Sequence, residues 1–574
     1  MNKKHWSTRY LGWLLSGLLI AIFYVLIFQN FDTHYANNDD TVILRATMGY
    51  GGVMPTFNVI LHGLLLAPLT WLGTMFPGIA FYTYFQIFFL WLSGTVFLRG
   101  LICLAVNNYK PFWVGLLAGL LFICCFWIQN ATKITMTITA ALLSAAAVMQ
   151  ILSVDIKNSN LFGILRGMLL ATLLCILGYA MRSEVLLPTL GFCGIAFLYQ
   201  WLRYISNKNI KFLQAKPMLI SLALILVLVG GSYGMRMYEI YGNEVHKAEW
   251  EWNTARSAVM DYYEFKELPQ EAIDEFNISP ELLNLSKTWY LLDPVFTTEN
   301  FQKMLSYLEE NKQDNSVTFS KQLDELFKGI SKYNKEQLYY MPISLLLFIF
   351  ALCLATKRKY CYLPLILSFI LFVFALIALF INGRLPLRSI MVPLSAFAVF
   401  SFAFFVITLP SKQTTCISIF IPIVVVCILG LSVQLPNLLE EKYALYDERN
   451  DINAFDDVDA FALEYPDMLI ISDDTLVSDF RLFPNTSNGI PNNVIWWGGW
   501  GLHSQQYRTT LKNFGFDPDT VDGTIFLDPN VYLARSAIDP EPIALANYIQ
   551  SLFDEELAYY MDLTLGGGYF YTFY

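Results

Sequence analysis

The sequence predicts a polytopic α-helical membrane protein of about eleven transmembrane helices, with a helical insert and a small carboxyl-terminal α/β domain outside the membrane. Three observations carry this. Of 574 residues, 56% are hydrophobic and only 15% charged, against about 25% charged in a soluble globular chain. A series of apolar runs, all uncharged but for Arg166 in one of them, approaches or exceeds the ~20 residues that a bilayer crossing requires. The polar remainder falls into separate blocks, and the last is strongly acidic: from Leu435 onward 23 carboxylates stand against six basic side chains, in a chain of net charge −10. Such a composition excludes a cytosolic enzyme, a disordered chain and a repeat array. The acidic block argues against nucleic acid, whose phosphates need Lys and Arg.

In order, the runs are 10–28, 79–98, 111–132, 134–154, 163–181, 185–202, 217–235, 337–356, 360–381, 389–410 and 414–434. The first is followed by Phe28-Gln29-Asn30 rather than by a small-residue cleavage site, so it reads as a retained helix. The stretch Phe57–Met75 is also apolar, and charge decides its role. The clusters Lys3-Lys4-Arg9, Arg203-Lys208-Lys211-Lys216 and Lys357-Arg358-Lys359 mark the cytoplasmic side. Counting back from Lys208 leaves Phe76-Pro77-Gly78 outside, while the first helix already delivers Asn30–Gly52 outside. Both hold only if 57–75 does not cross. It is expected to lie on the outer face as an amphipathic or re-entrant helix, with Asn58, His62 and Thr70 on a partial polar side and a kink at Pro68. The chain is then a multi-pass cell-membrane protein with a cytoplasmic amino terminus and an extracytoplasmic carboxyl-terminal domain.

The expected domains are a membrane module 1–235 with an outer loop 30–78, a helical insert 236–338, membrane helices 339–434 and an acidic α/β domain 435–574. Helical patterning in the insert covers Asp261–Phe276 and Phe301–Glu310. In the acidic domain Met468–Ile471 and Thr524–Leu527 read as strands, the aromatic run Tyr569–Tyr574 ends the chain, and Pro484-Asn485 and Gly498-Gly499 read as turns. The nine cysteines lie inside or at the ends of apolar runs, without a CxxC, and read as apolar filling.

Charged residues at the outer ends of the runs are candidates for a polar cavity, because a charge near hydrocarbon is costly unless paired or facing water. They include Asp39, Asp40, Arg45, Lys133, Arg182, Glu184, Arg236, Glu239, Arg384 and Arg388. Such a set suits an anionic lipid head group with a polar acceptor. Asp39-Asp40 in the first outer loop can supply a general base, one acid holding a hydroxyl while the other stays ionised. The pair also suits capping of a helix starting at Thr41. Arg384 and Arg388 occupy a short outer turn, where an arginine fork suits phosphate oxygens or merely anchors the turn at the interface. Arg182-Ser183-Glu184 suits phosphate binding or an internal ion pair, and Lys133 a phosphate or an interfacial anchor. His62, Glu184 and Trp497 are weaker candidates for acceptor or sugar contact; Trp497 belongs to an aromatic cluster, Trp496 to Trp500, able to stack on a sugar face or to pack a core. A divalent metal, if one is used, would sit at Asp39 and Asp40.

One span, a long outer loop with paired acids, an outer-surface helix, a soluble insert after the seventh span and an outer carboxyl-terminal domain together resemble the GT-C superfamily of lipid-carrier-dependent glycosyltransferases. Protein O-mannosyltransferases and lipid A aminoarabinose transferases are members. In them an acidic residue or pair in the first outer loop acts as base or binds metal, and Asp39-Asp40 takes that place here. The resemblance covers roughly 10–434, by layout more than by motif. The mannosyltransferase segment His-Pro-Pro-Leu-Gly-Lys is absent from Pro55–His62, and Asp-Asp replaces the commoner Asp-Glu.

The resemblance implies an inverting transfer of a hexosyl or pentosyl group from a polyprenyl-phosphate carrier to an acceptor hydroxyl. The acceptor would be a bacterial cell-envelope polysaccharide, teichoic acid, lipid or protein. Asp39 or Asp40 would take the proton, and Arg384, Arg388, Arg182 or Lys133 would neutralise the leaving phosphate. Two other readings stand beside it: a transporter or flippase for a lipid-linked oligosaccharide, which calls for charges in mid-span and internal repeats, and a non-enzymatic surface-assembly protein.

Overall fold

The computed structural model describes residues 3–156, 161–206, 216–261, 278–310, 340–355, 359–381, 387–410, 449–473, 480–536, 542–553, 559–565 and 568–573, with isolated positions between them. Among these residues nine helices are long and apolar enough to cross a membrane, from Leu11–Asn30 to Leu387–Thr408. The chain is a polytopic helical membrane protein with a small sheet-containing region. Of the two remaining expected spans, 337–356 contains the shorter helix Tyr340–Leu354, and 414–434 lies almost wholly outside the described residues. The chain divides into two compact units: residues 1–34, 85–235 and 317–443, and residues 35–84, 236–316 and 444–574.

In the first unit the helix Met136–Ser153 is buried throughout, and Leu387–Thr408 is buried from Ile390 onward except at Val392. The former is built on Ala140, Ala141, Ser144, Ala145, Ala146 and Ala147, and small side chains let neighbouring helices approach closely. Its last carbonyls have no partner within their own helix. The Gln200 side-chain amide donates to the Ile151, Leu152 and Val154 carbonyls at 2.7, 2.9 and 3.1 Å, which satisfies them where lipid offers no donor. Arg99 falls inside the helix Phe81–Asn107, which continues past the end of the expected run. Its guanidinium lies 4.3 Å from the Trp13 ring and donates to Gln150 Oε1 at 3.2 Å. The hairpin of Phe81–Asn107 and Phe112–Thr132 closes on Gly115 and Gly119: a Cβ at Gly115 would fall 2.5 Å from Ile102 Cα, and one at Gly119 2.4 Å from Leu98 Cδ1.

The second unit contains a five-stranded sheet. Strands β1 (Leu469–Ser472), β2 (Val494–Trp496), β3 (Val531–Ser536), β4 (Tyr559–Leu565) and β5 (Gly568–Phe573) lie in the order β2-β1-β3-β5-β4. β1 is parallel to β2 and β3, and the β3–β5 and β5–β4 pairs are antiparallel. Both faces of the central strand β1 are covered, and its Leu469–Ile471 form an unbroken apolar run. Leu469, Ile471, Leu533, Tyr571 and Phe573 face one core with Trp252, Phe301 and Ile549. Ile470, Ala534 and Phe570 face another with Val458, Phe461 and Ala462, from the helix Arg449–Glu464. The insert and the carboxyl-terminal segment thus share one hydrophobic core.

Three local expectations are corrected. Thr524–Leu527 is a short 3-10 helix, Gly523–Leu527, not a strand: Asp522 caps it by accepting from the Thr524 N–H at 2.8 Å, while Ile525 and Phe526 supply its buried face. The outer-loop helix expected over 57–75 starts at Gly63, because Asn58 Oδ1 accepts from the Ile60 and Leu61 N–H groups and turns the chain before it. At 13 residues this helix, Gly63–Met75, is shorter than a span. The helix expected from Thr41 starts at Asn38. Of the expected insert helices, Thr298–Glu310 is present, and most of 261–276 lies outside the described residues.

The close approach at Gly115 generates a test. Gly115→Ala should lower the Tm of the detergent-solubilised protein, with overpacking costing about 1–3 kcal/mol. Gly194→Ala, where a Cβ meets nothing within 4 Å, should leave it unchanged. Equal melting of the two variants would refute close packing at the hairpin.

Candidate functional site

Helix α1, Asn38–Met48, carries both Asp39 and Asp40 in its first turn. Its cap is Asn37, whose side-chain oxygen accepts from the Asp39 N–H at 3.4 Å. The two carboxylates are therefore released from the capping role considered above. They also sit in the first turn, at the positive end of the helix dipole.

The two differ in surroundings. Asp39 is half-buried. Its Oδ2 accepts from Asn37 Nδ2 at 2.8 Å and its Oδ1 from the Trp500 indole at 3.1 Å. Asp40 is fully buried, and Tyr82 Oη donates to its Oδ1 at 2.7 Å. Tyr35 stacks on Tyr82 with centroids 6.2 Å apart. Thr83 donates its hydroxyl to the Leu482 carbonyl at 2.6 Å, so Tyr35 Oη must be the donor in its 2.8 Å bond to Thr83 Oγ1. Burial raises the Tyr35 phenol well above its ordinary pKa, aided by the Asp40 charge, so Tyr35 stays protonated and donating at neutral pH. At the other end of α1, Arg45 pairs with Asp459 at 3.5 Å and lies 4.9 Å from the Tyr50 ring, and Tyr50 Oη donates to Asp459 at 2.8 Å.

A buried arginine organises the loop that follows. Arg236 donates to the Leu61, Asn58 and Val59 carbonyls at 3.2, 2.9 and 2.9 Å and to Glu239 Oε2 at 2.9 Å. Glu239 also accepts from the Gly63 N–H at 3.2 Å, and a Cβ at Gly63 would sit 2.2 Å from its other oxygen. Phe57, Val59 and Ile240 form a small apolar cluster against which Trp250 and Trp500 pack. That cluster brings the Trp500 indole to Asp39.

The sequence-predicted residues distribute as follows. Asp39, Asp40, His62 and Trp497 belong to the second unit, and Lys133, Arg182, Glu184 and Arg388 to the first. His62 caps the helix Gly63–Met75: its Nδ1 accepts from the Leu64 N–H at 3.0 Å and lies 3.9 Å from Glu239, with 3% of its surface exposed. Trp497 is buried in the sheet core, donating to the Thr288 carbonyl at 3.2 Å. Trp500, three residues on, is the tryptophan at the carboxylate. Arg182 Nε lies 2.9 Å from Glu184, which is mostly exposed. Arg388 is half-buried near the start of the helix Leu387–Thr408, and Lys133 is half-buried after the helix Phe112–Thr132. Arg384 lies outside the described residues.

Among the described residues no three His, Cys, Asp or Glu side chains converge as a metal-ligand set. Asn37 Nδ2 and Trp500 Nε1, the N–H donors at Asp39, fit a carboxylate acting as base or anion.

Glu249 is a buried group that sequence reasoning missed, since nothing in its polar, helical context marks it. It is 2% exposed, Oε1 has no hydrogen-bond partner, and burial pushes its pKa up to about 8 against the opposing pull of Arg236. Above its ordinary value of 4.5 the unfolded carboxyl ionises while the folded one stays protonated. Stability therefore falls as pH rises from ~4.5 to ~8 and levels off above that. Glu249→Gln should remove this slope. Its stability advantage over the parent, read from denaturant unfolding, should be larger near pH ~9 than near pH ~5, by on the order of a few kcal/mol. A parent-to-variant difference independent of pH would show that Glu249 ionises normally.

No protein-family model and no curated protein sequence matches the chain. Two crystal structures of ArnT from Cupriavidus metallidurans, an aminoarabinose transferase of the GT-C class, are similar to it over 98% of both chains. The apo structure matches at 9% identity and a TM-score of 0.41, and the structure bound to undecaprenyl phosphate at 10% identity and a TM-score of 0.40.

Proposed function

We propose that the chain is a membrane glycosyltransferase that moves a sugar from a polyprenyl-phosphate carrier to an acceptor hydroxyl on the outer face of the membrane, with Asp39 as the catalytic base. The observation that carries this is the asymmetry of the pair. Asp39 is reachable and held by two neutral N–H donors, whereas Asp40 is enclosed and bonded to Tyr82. An accessible carboxylate oriented by fixed donors can accept a proton, while a buried carboxylate one residue away holds the local field and the turn. The fact that Asn37 caps α1 supports the reading, because it leaves no helix-capping duty for Asp39.

In the proposed reaction Asp39 takes the proton of an acceptor hydroxyl. The hydroxyl oxygen bonds to the anomeric carbon from the face opposite the phosphate, inverting it. The carbon–oxygen bond to phosphate breaks and the electron pair leaves with the polyprenyl phosphate. Arg384, Arg388, Lys133 and Arg182 are the proposed partners of that phosphate, Arg182 alongside its pairing with Glu184. Trp500, beside Asp39, is proposed to contact the sugar or acceptor in the role first given to Trp497. The sugar unit is a hexose or pentose, and the acceptor a cell-envelope glycan, lipid or protein.

Asp39→Asn keeps the shape of the side chain and should fold, insert and bind donor lipid while losing ~10²–10⁴-fold in turnover. The measurement is transfer from a panel of polyprenyl-phosphate sugars by the purified full chain. Turnover at the parental rate would remove the base assignment. Arg388→Ala should weaken donor binding by ~10–100-fold, the loss of one charge-assisted hydrogen bond. Unchanged donor affinity would leave Arg388 as an interfacial anchor. The proposed orientation is checked by reporter fusions at Asn30 and after Phe76, both expected to report outside; a cytoplasmic signal after Phe76 would make 57–75 a crossing.

A further inference from the structure

At the end of α1 remote from Asp39 lies a second feature with no part in the transfer reaction. The chain leaves α1 through Gly49, Gly51 and Gly52, all at positive φ. The last two help to line a cavity of about 470 Å³ in the second unit, within the ~300–1,000 Å³ of small-ligand sites. Its other walls come from the segments that lead into the parallel strands: Pro466 and Asp467 before β1, Asn492 before β2, and Asp528 and Asn530 before β3. Asn513, Phe514 and Phe516 close it after the helix Gln505–Asn513.

The lining sets the chemistry of an occupant. Three carboxamides and two carboxylates offer donors and acceptors in mixed array, and the lining contains no Lys or Arg. Among the described residues the side chains of Asp467, Asn492 and Asn513 have no hydrogen-bond partner, and all three are exposed. The backbone behind them is already committed: Asn530 donates its N–H to Asp528 Oδ1 at 2.8 Å, and its carbonyl accepts from Leu469 at 2.8 Å. Phe514 and Phe516 pack against the sheet core and are only half-buried. Gly515 between them has φ +87°. Anions are disfavoured by the two carboxylates, and a purely apolar ligand would leave the amides unpaired. A single cation would not fill the volume.

We propose that this cavity binds an uncharged oligosaccharide, its hydroxyls bonded by Asp467, Asn492 and Asn513 and its apolar ring face resting on Phe514 or Phe516. Helix α1 separates the cavity from Asp39 by its own length, about 16 Å for 11 residues. A glycan chain held here is therefore anchored away from the reacting hydroxyl. This binding is independent of the transfer reading, because it needs neither donor nor turnover.

The test titrates the detergent-purified full chain, without donor lipid, with neutral gluco-, galacto- and manno-oligosaccharides of three or four units, with the matching uronate oligosaccharides, and with Ca²⁺ alone, by calorimetry. At least one neutral series should bind and the uronates should not. Asp467→Ala/Asn513→Ala should weaken that binding by about tenfold or more, for two lost hydrogen bonds, with an unchanged Tm. Phe516→Ala should also weaken it, and Asp39→Asn should bind as the parent does. No binding by any neutral series, equal binding of the uronates, binding unchanged in the double variant, or binding of Ca²⁺ alone would each overturn the proposal. A failed transfer assay with intact glycan binding would overturn only the transferase reading.

Discussion

The loop architecture of the second unit depends on one buried cation. Arg236 has four hydrogen-bond acceptors, three of them main-chain carbonyls of Asn58, Val59 and Leu61 and the fourth the Glu239 carboxylate. An arginine cannot shed its charge, so its burial is tolerable only with such a set of acceptors. The same set imposes a conformation on Asn58–Leu61, and Glu239 continues the constraint into Gly63. Phe57, Val59 and Ile240 are brought together by this arrangement, and Trp500 packs on them. The position of the Asp39 carboxylate is thus fixed through an indole whose own seat rests on the arginine.

The paired acids illustrate how neighbouring residues acquire different chemistry from their surroundings. On a helix, consecutive positions point about a quarter-turn apart. Asp40 turns toward Tyr82 and is fully enclosed, and Asp39 turns toward Asn37 and Trp500 and stays half-buried. Neither is consumed in capping, which falls to Asn37. Tyr35 and Thr83 extend the buried side of the network and tie it to the Leu482 carbonyl. The first unit follows another rule, that buried backbone must be satisfied without water: Gln200 closes the end of the helix Met136–Ser153, and glycines permit the close hairpin beside it.

Where the sequence was misleading, a local cue was overridden by a non-local one. Thr524–Leu527 has strand composition, yet Asp522 caps a 3-10 turn there. Trp497 and Trp500 are indistinguishable by type and spacing, and only the packing of the sheet buries the first and sends the second to Asp39. Arg236 and Glu239 stood out as outer-face charges, but their partners are main-chain carbonyls and an N–H about 175 residues earlier, which no spacing rule can find. Glu249 looked like any solvated helical glutamate.

The sequence by itself determined the membrane class, the strand at Leu469 and the adjacent carboxylates Asp39 and Asp40 after the first apolar run. Each of these follows from composition or from a run of neighbours, because hydrophobic burial and helix periodicity are local in the chain. Only the tertiary structure decided which carboxylate is enclosed, which tryptophan meets it, and that loop, insert and carboxyl-terminal domain share a unit. Those outcomes depend on hydrogen bonds and packing between segments hundreds of residues apart. Their partners are selected by burial and geometry in the folded chain, and burial is a property that no short stretch of sequence possesses on its own.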